Sequence, residues 1–144
     1  MTTIAYHHES KIIAWESRQT QEGLIRTDKC MKMKEKDGVR FWVTGAVPDE
    51  LKLIDKYFGA DIDGLIECNA FVYDGKTLNY VGVTESGEFW SMPIDYNCAM
   101  GSGEFFALAA MDFGKSAVEA VEYAKTRDCY SGGEVHEFRI DCKE

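Results

Sequence analysis

Thr2-Thr3-Ile4-Ala5-Tyr6, His7-His8-Glu9-Ser10 and Lys11-Ile12-Ile13-Ala14-Trp15 open the chain as two short apolar runs around a polar tetrapeptide. That pattern predicts a β-hairpin. Its first residue is a threonine directly behind Met1. With Met1 removed, Thr2 carries a hydroxyl and a free α-amine on one residue. An amine with a pKa of about 7.7–8.0 accepts a proton near neutrality, so the hydroxyl has a base attached to it. This is one variant of the nucleophile–base logic of serine triads. Many exposed first strands also begin Met-Thr, so the rest of the chain must supply the other parts.

Outward from the hairpin, residues 16–23 are polar and are expected to cross a surface or cleft. Strands are expected over 30–34 and 39–44, around Glu35-Lys36-Asp37-Gly38, whose Asp-Gly pair is a strong hairpin signal. Gly45-Ala46-Val47 leads into Pro48-Asp49-Glu50, a helix start with proline and acids in its first turn. Leu51, Ile54, Tyr57 and Phe58 then recur with helical spacing, and Gly59 stops the helix. A second β region covers 69–73, 77–83, 88–92 and 97–100, with Asp74-Gly75 between the first two. After Gly101-Ser102-Gly103 comes an apolar helix with Phe105, Phe106, Leu108, Ala109 and Met111, ending near Gly114. Ser116-Ala117-Val118-Glu119 has the form of a capping box, and the helix behind it turns Ala117, Val118, Ala120, Val121 and Ala124 inward. Residues 128–133 read as a turn and 135–140 as a last, alternating strand. No linker or repeat interrupts the series, so a single domain over 1–144 is expected. It is α+β, with two antiparallel sheets face to face and helices outside.

The totals exclude several function classes. At 144 residues, 45% hydrophobic and 28% charged, the chain can bury a core of its own. A net charge of −9 argues against a nucleic-acid or anionic-membrane surface. Lys29, Lys32, Lys34 and Lys36 alternate with Asp28, Glu35 and Asp37 instead of forming a basic run. No apolar stretch reaches the roughly 20 residues of a membrane span, and no signal peptide is expected at the start. The five cysteines, Cys30, Cys68, Cys98, Cys129 and Cys142, are scattered and never spaced C-x-x-C. They read as free thiols of a cytoplasmic protein. His7 and His8 fall in the first turn without a third ligand, so no metal is expected.

Three stretches together resemble a known family. Ala99-Met100-Gly101-Ser102-Gly103 with Phe106-Ala107-Leu108-Ala109-Ala110 is similar to the G-S-G segment and following helix of proteasome β subunits and of the bacterial peptidase HslV. Ala124-Lys125-Thr126-Arg127-Asp128-Cys129-Tyr130-Ser131-Gly132-Gly133 resembles the A-x-x-R-D-x-x-S-G-G segment of proteasome β subunits. Thr2-Thr3-Ile4 is similar to the processed amino terminus of both. The resemblance runs from Thr2 to about Phe138. It implies the four-layer αββα sandwich of the N-terminal-nucleophile (Ntn) hydrolases and the activity of a threonine endopeptidase.

In that family pattern Thr2 is the nucleophile and its α-amine the general base. Lys32 matches the lysine beside the threonine hydroxyl, where a buried ammonium lowers the hydroxyl pKa. Glu16 takes the acidic position, usually Asp, and pairs with Lys32. Gly45 matches the glycine whose backbone N–H serves the oxyanion hole, a donor worth about 2.7–4 kcal/mol in the transition state. Ser102, Asp128 and Ser131 match residues that hold the terminal amine and its proton network. Thr20, Lys29 and Cys30 are expected near the cleft, as substrate contacts. The resemblance implies a homo-oligomeric ring that encloses its sites, peptides or unfolded proteins as substrate, no cofactor, and a separate ATP-dependent unfoldase. The chain itself has no G-x-x-x-x-G-K-[ST]. It departs from the family in one compact helix over 49–68 where relatives carry two longer ones, in a first hairpin shorter by about two residues, and in Glu for Asp at position 16. The alternative is a catalytically silent protein that keeps the fold as a structural or assembly module.

Overall fold

A computed structural model describes residues 2–140; Met1 and residues 141–144, with Cys142 among them, lie outside the described residues. In chain order the first part contains β1 (Ile4–His7), β2 (Ile12–Trp15), β3 (Gln19–Gln21), β4 (Leu24–Thr27), β5 (Met33–Lys36) and β6 (Val39–Gly45). A 3-10 turn (Val47–Asp49), α1 (Glu50–Tyr57), β7 (Cys68–Tyr73), β8 (Leu78–Val83) and β9 (Phe89–Pro93) follow. The last part contains β10 (Cys98–Met100), α2 (Glu104–Asp112), α3 (Ala117–Lys125) and β11 (His136–Arg139). These elements divide between two compact units, residues 2–32 with 95–140, and residues 33–94.

In the first unit the expected hairpin forms, with Ile4 opposite Trp15, Ala5 opposite Ala14 and Tyr6 opposite Ile13. It sits at the centre of an antiparallel sheet in the order β10-β1-β2-β11. One face of that sheet is built from alanine. Ala5, Ala14 and Ala99 meet Ala107, Met111, Ala117, Ala120, Val121 and Ala124 of α2 and α3. Such small side chains leave room for the helices to lie close on the strands, and close packing is what protein interiors require. Ile4, Tyr6, Ile13 and Trp15, which alternate with the alanines, are buried as well. The capping box is complete: the Ser116 side chain accepts from Glu119 N, and the Glu119 carboxylate accepts from Ser116 N. The apolar helix α2 buries Ala107 and Met111, while Phe105 stays 77% exposed and Phe113, just beyond the helix, 89%.

The second unit is a five-stranded antiparallel meander, β5-β6-β7-β8-β9. Its Asp37-Gly38 turn has positive φ at both residues, +51° and +80°, the conformation that the Asp-Gly pair foretells. Leu53 and Ile54 of α1 pack on Phe41, Val43, Cys68, Ala70, Val72, Val81 and Val83. Trp42 and Phe71 are buried too. Phe71, Tyr80 and Trp90 form an aromatic ladder, with centroids 5.5 and 5.3 Å apart.

The structure corrects three expectations. Among the described residues a third antiparallel sheet joins the two expected, because the polar stretch after β2 folds back as a ribbon, β3 on β4. Its turn is Glu22-Gly23, again with both φ positive (+51° and +79°), but Glu-Gly lacks the sequence cue of Asn-Gly or Asp-Gly. The strand expected over 30–34 starts later, at Met33, so Lys32 lies in irregular chain before it. The residues ahead of β5 are bonded elsewhere: Lys29 N donates to Thr27 Oγ1 (3.0 Å) and Cys30 N to Ser17 O (2.9 Å). In α1 the inward positions belong to Leu53 and Ile54, and Leu51 is 67% exposed.

Candidate active site

The register of the first hairpin builds the site. One step beyond its last pair, Ile4 with Trp15, the chains carry Thr2-Thr3 on one side and Glu16 on the other. All three are buried, and Lys32 joins them at 7% exposure. The Lys32 ammonium donates to Thr2 Oγ1 and to Glu16 Oε1, and the Thr2 hydroxyl donates to Glu16 Oε1. Glu16 thus anchors the hydroxyl and the ammonium on one oxygen, which also accepts from Thr3 N at 3.1 Å. Its other oxygen accepts from Arg18 N and Gly132 N, both at 2.9 Å. A carboxylate removed from water is tolerated when its lone pairs are filled and an opposite charge is in contact, and here both conditions hold.

A second polar cluster surrounds Asp128. Its Oδ2 accepts from Ser102 Oγ (2.6 Å) and Ser131 Oγ (2.7 Å), and its Oδ1 from Tyr130 N (3.2 Å). Ser102 Oγ and Gly103 N also reach the Thr2 carbonyl, each at 3.3 Å. The close passage of this loop over Thr2 requires Gly101, at φ +98°: a Cβ there would run into the Thr2 carbonyl. Six of the residues expected from the sequence, Thr2, Glu16, Lys32, Ser102, Asp128 and Ser131, therefore meet in one unit.

The remaining four lie apart from that cluster or outside its unit. Thr20 is half-buried on β3, Lys29 is exposed, and Cys30 is half-buried with its N–H on Ser17 O. Gly45 ends β6 in the second unit at φ +127°, paired with Cys68. His7 ends β1, and His8 sits in the turn with Nδ1 2.9 Å from Tyr6 Oη. Among the described residues no group of three or more His, Cys, Asp or Glu is arranged to hold a metal ion. No helix among them is long and apolar enough to cross a membrane.

Sequence reasoning missed the residues that brace the site. The Arg18 guanidinium grips Asp28 through two bonds (2.8 and 3.2 Å) and donates to Cys129 O (3.2 Å). That bond holds the Asp28 carboxyl below the usual carboxylate range and raises the Arg18 pKa in turn. Gly132 lies against Arg18, where any Cβ would overlap the guanidinium. Ser17 Oγ donates to Glu134 O at 2.6 Å. Thr3, which enters the sequence reading only within the amino-terminal motif, is fully buried as well. For Ser17 and Arg18 the only available signal was adjacency, since both directly follow Glu16.

No family model matches the sequence, and no curated protein matches it either. The fold does match solved structures along nearly the whole chain. BPH of Thiobacillus denitrificans superposes with a TM-score of 0.73 at 15% identity, covering 98% of this chain and 99% of that one. The same protein in complex with epoxomicin gives 0.71 at 16%, with 97% and 100% covered. The eukaryotic HslV of Trypanosoma brucei gives 0.69 at 16%, with 95% and 98% covered. The chain has the HslV-like fold of the proteasome-like proteins.

Proposed function

We propose that the protein is a threonine-type peptidase whose nucleophile is Thr2, acting on peptides or unfolded proteins. The observation that carries this reading is the buried Thr2 hydroxyl in simultaneous contact with the Lys32 ammonium and the Glu16 carboxylate. A hydroxyl held this way sits beside a positive charge that stabilises its conjugate base, and that charge is itself kept in place by Glu16. Removal of Met1 frees the α-amine as general base.

In the reaction, Thr2 Oγ forms a bond to the scissile carbonyl carbon while its proton passes to the α-amine. The tetrahedral oxyanion is stabilised by a backbone N–H, which we assign to Gly45. The C–N bond breaks as the leaving amine takes the proton, leaving an ester on Thr2. Water then gives up a proton to the α-amine, its oxygen attacks the ester, and Thr2 Oγ leaves with that proton. Ser102, Asp128 and Ser131 orient the amine. Thr20, Lys29 and Cys30 contact the substrate.

The same reading takes the two units as one four-layer αββα domain and the protein as a cytoplasmic homo-oligomeric ring with enclosed sites, served by a separate ATP-dependent unfoldase. The test is intact mass before and after exposure to epoxomicin, the compound held by one of the matched structures. Its epoxyketone requires both the hydroxyl and the free amine of an N-terminal threonine. Loss of Met1 with a single adduct, absent in Thr2→Ala, is the expected result. Wild-type protein that takes up no adduct would transfer the fold to the other reading, a silent structural or assembly module.

A further inference from the structure

Thr3 is where the two polar clusters of the first unit meet. It is fully buried, its backbone N–H donates to Glu16 Oε1 at 3.1 Å, and its Oγ1 lies 2.6 Å from Ser131 Oγ. The direction of that last bond follows from its neighbours. Both Ser131 Oγ and Ser102 Oγ donate to Asp128 Oδ2. The single proton of Ser131 is committed to Asp128, so the Thr3 hydroxyl must be the donor to Ser131. Room for the Thr3 hydroxyl exists because position 103 is glycine, whose missing Cβ would otherwise overlap it.

We infer that Thr3 is a positioning residue, whose hydroxyl locks the Ser131 hydroxyl onto Asp128 while its backbone N–H holds Glu16 beside Thr2. One residue then keeps the amine-orienting network and the nucleophile–ammonium–carboxylate cluster in fixed register. The inference rests on the peptidase reading. A side chain without a donor at position 3 frees Ser131 to rotate and lets the two clusters drift, and displacements of about 1 Å in such sites slow reaction by up to about 100-fold.

The experiment measures epoxomicin labelling of Thr2 by mass across a range of probe concentrations, separating the maximal rate from the half-saturating concentration. For Thr3→Val, close in shape but without the hydroxyl, the maximal rate falls about 10- to 100-fold with half-saturation within about twofold of wild type. Thr3→Ser, which keeps the donor, recovers the rate to within about threefold. Labelling of Thr3→Val at the wild-type rate would overturn the inference, as would a Thr3→Ser variant as slow as Thr3→Val, since the methyl and not the hydroxyl would then matter. Should Thr3→Val not fold, Thr3→Ala, which also lacks the donor, is judged by the same criteria. Wild-type protein that fails to label at all strikes at the peptidase reading instead, so the two failures are told apart.

Discussion

The two units of this chain bury opposite kinds of matter. Among the described residues, every buried polar or charged side chain, namely Thr2, Thr3, Glu16, Ser17, Lys32, Asp128 and Ser131, belongs to the unit of residues 2–32 and 95–140. The five-stranded unit buries aliphatic and aromatic groups around Phe41, Leu53, Val72 and Val81. An apolar core lowers the free energy by burial alone. A buried Lys-Glu pair gains little net stability, because desolvation offsets the attraction. The first unit therefore holds a structure whose polar groups must all be satisfied at once, which is expected of a site more than of a scaffold.

The contrast is broken most severely at Glu16. Glu16→Ala leaves the Lys32 ammonium without its carboxylate and strips three backbone N–H groups of their acceptor. A loss of about 3–5 kcal/mol is expected in urea unfolding. Adding Lys32→Met should restore part of it, since the orphaned charge goes with its partner; a double variant as unstable as the sum of the singles would refute the charge argument. In the apolar unit, Leu53→Ala should cost about 2–5 kcal/mol through a cavity, with no second substitution of charge able to restore it. Its epoxomicin labelling, measured on folded protein, should stay that of wild type.

Smaller effects sharpen the comparison. Ser116→Ala removes the side-chain acceptor of the α3 capping box and should lower stability by about 1 kcal/mol, read from the shift of the urea midpoint. The smallest effect at neutral pH comes from Cys68. Burial pushes its thiol up from an ordinary value of 9.0 to about 12, with Glu50 and Asp49 adding to the shift. The folded state binds this proton more tightly than the unfolded state. The associated stability is fully present below pH 9 and is lost as the pH rises from 9 toward about 12. Unfolding curves over that range should fall less steeply for Cys68→Ala than for wild type. At pH 9, iodoacetamide should modify the exposed Cys129 well before Cys68.

Much of the site was legible because its parts fall in three short, recognisable stretches: Thr2-Thr3-Ile4, the G-S-G of 101–103, and the R-D-x-x-S-G-G of 127–133. Of the braces, Arg18 and Asp28 looked like ordinary surface charges. They became a clamp only through a bond to Cys129 O across 111 positions. Lys32 stood in a row of lysines and, without the resemblance, would have read as exposed. The β3–β4 ribbon went unseen because its residues are polar on both sides and its turn lacks an Asn or Asp.

What the sequence by itself determined was local. The Asp37-Gly38 turn, the Ser116–Glu119 capping box and the alternation of Ile4, Tyr6, Ile13 and Trp15 follow from conformational preferences and bonds that span a few residues. Only the tertiary structure decided which charges are buried and what each hydroxyl faces. The partners involved come from far along the chain: Glu16 lies 14 residues from Thr2, Lys32 lies 30 from it, and Ser131 lies 128 from Thr3. Whether a lysine sheds its water depends on what packs around it, and no periodicity near position 32 encodes the approach of a threonine from position 2.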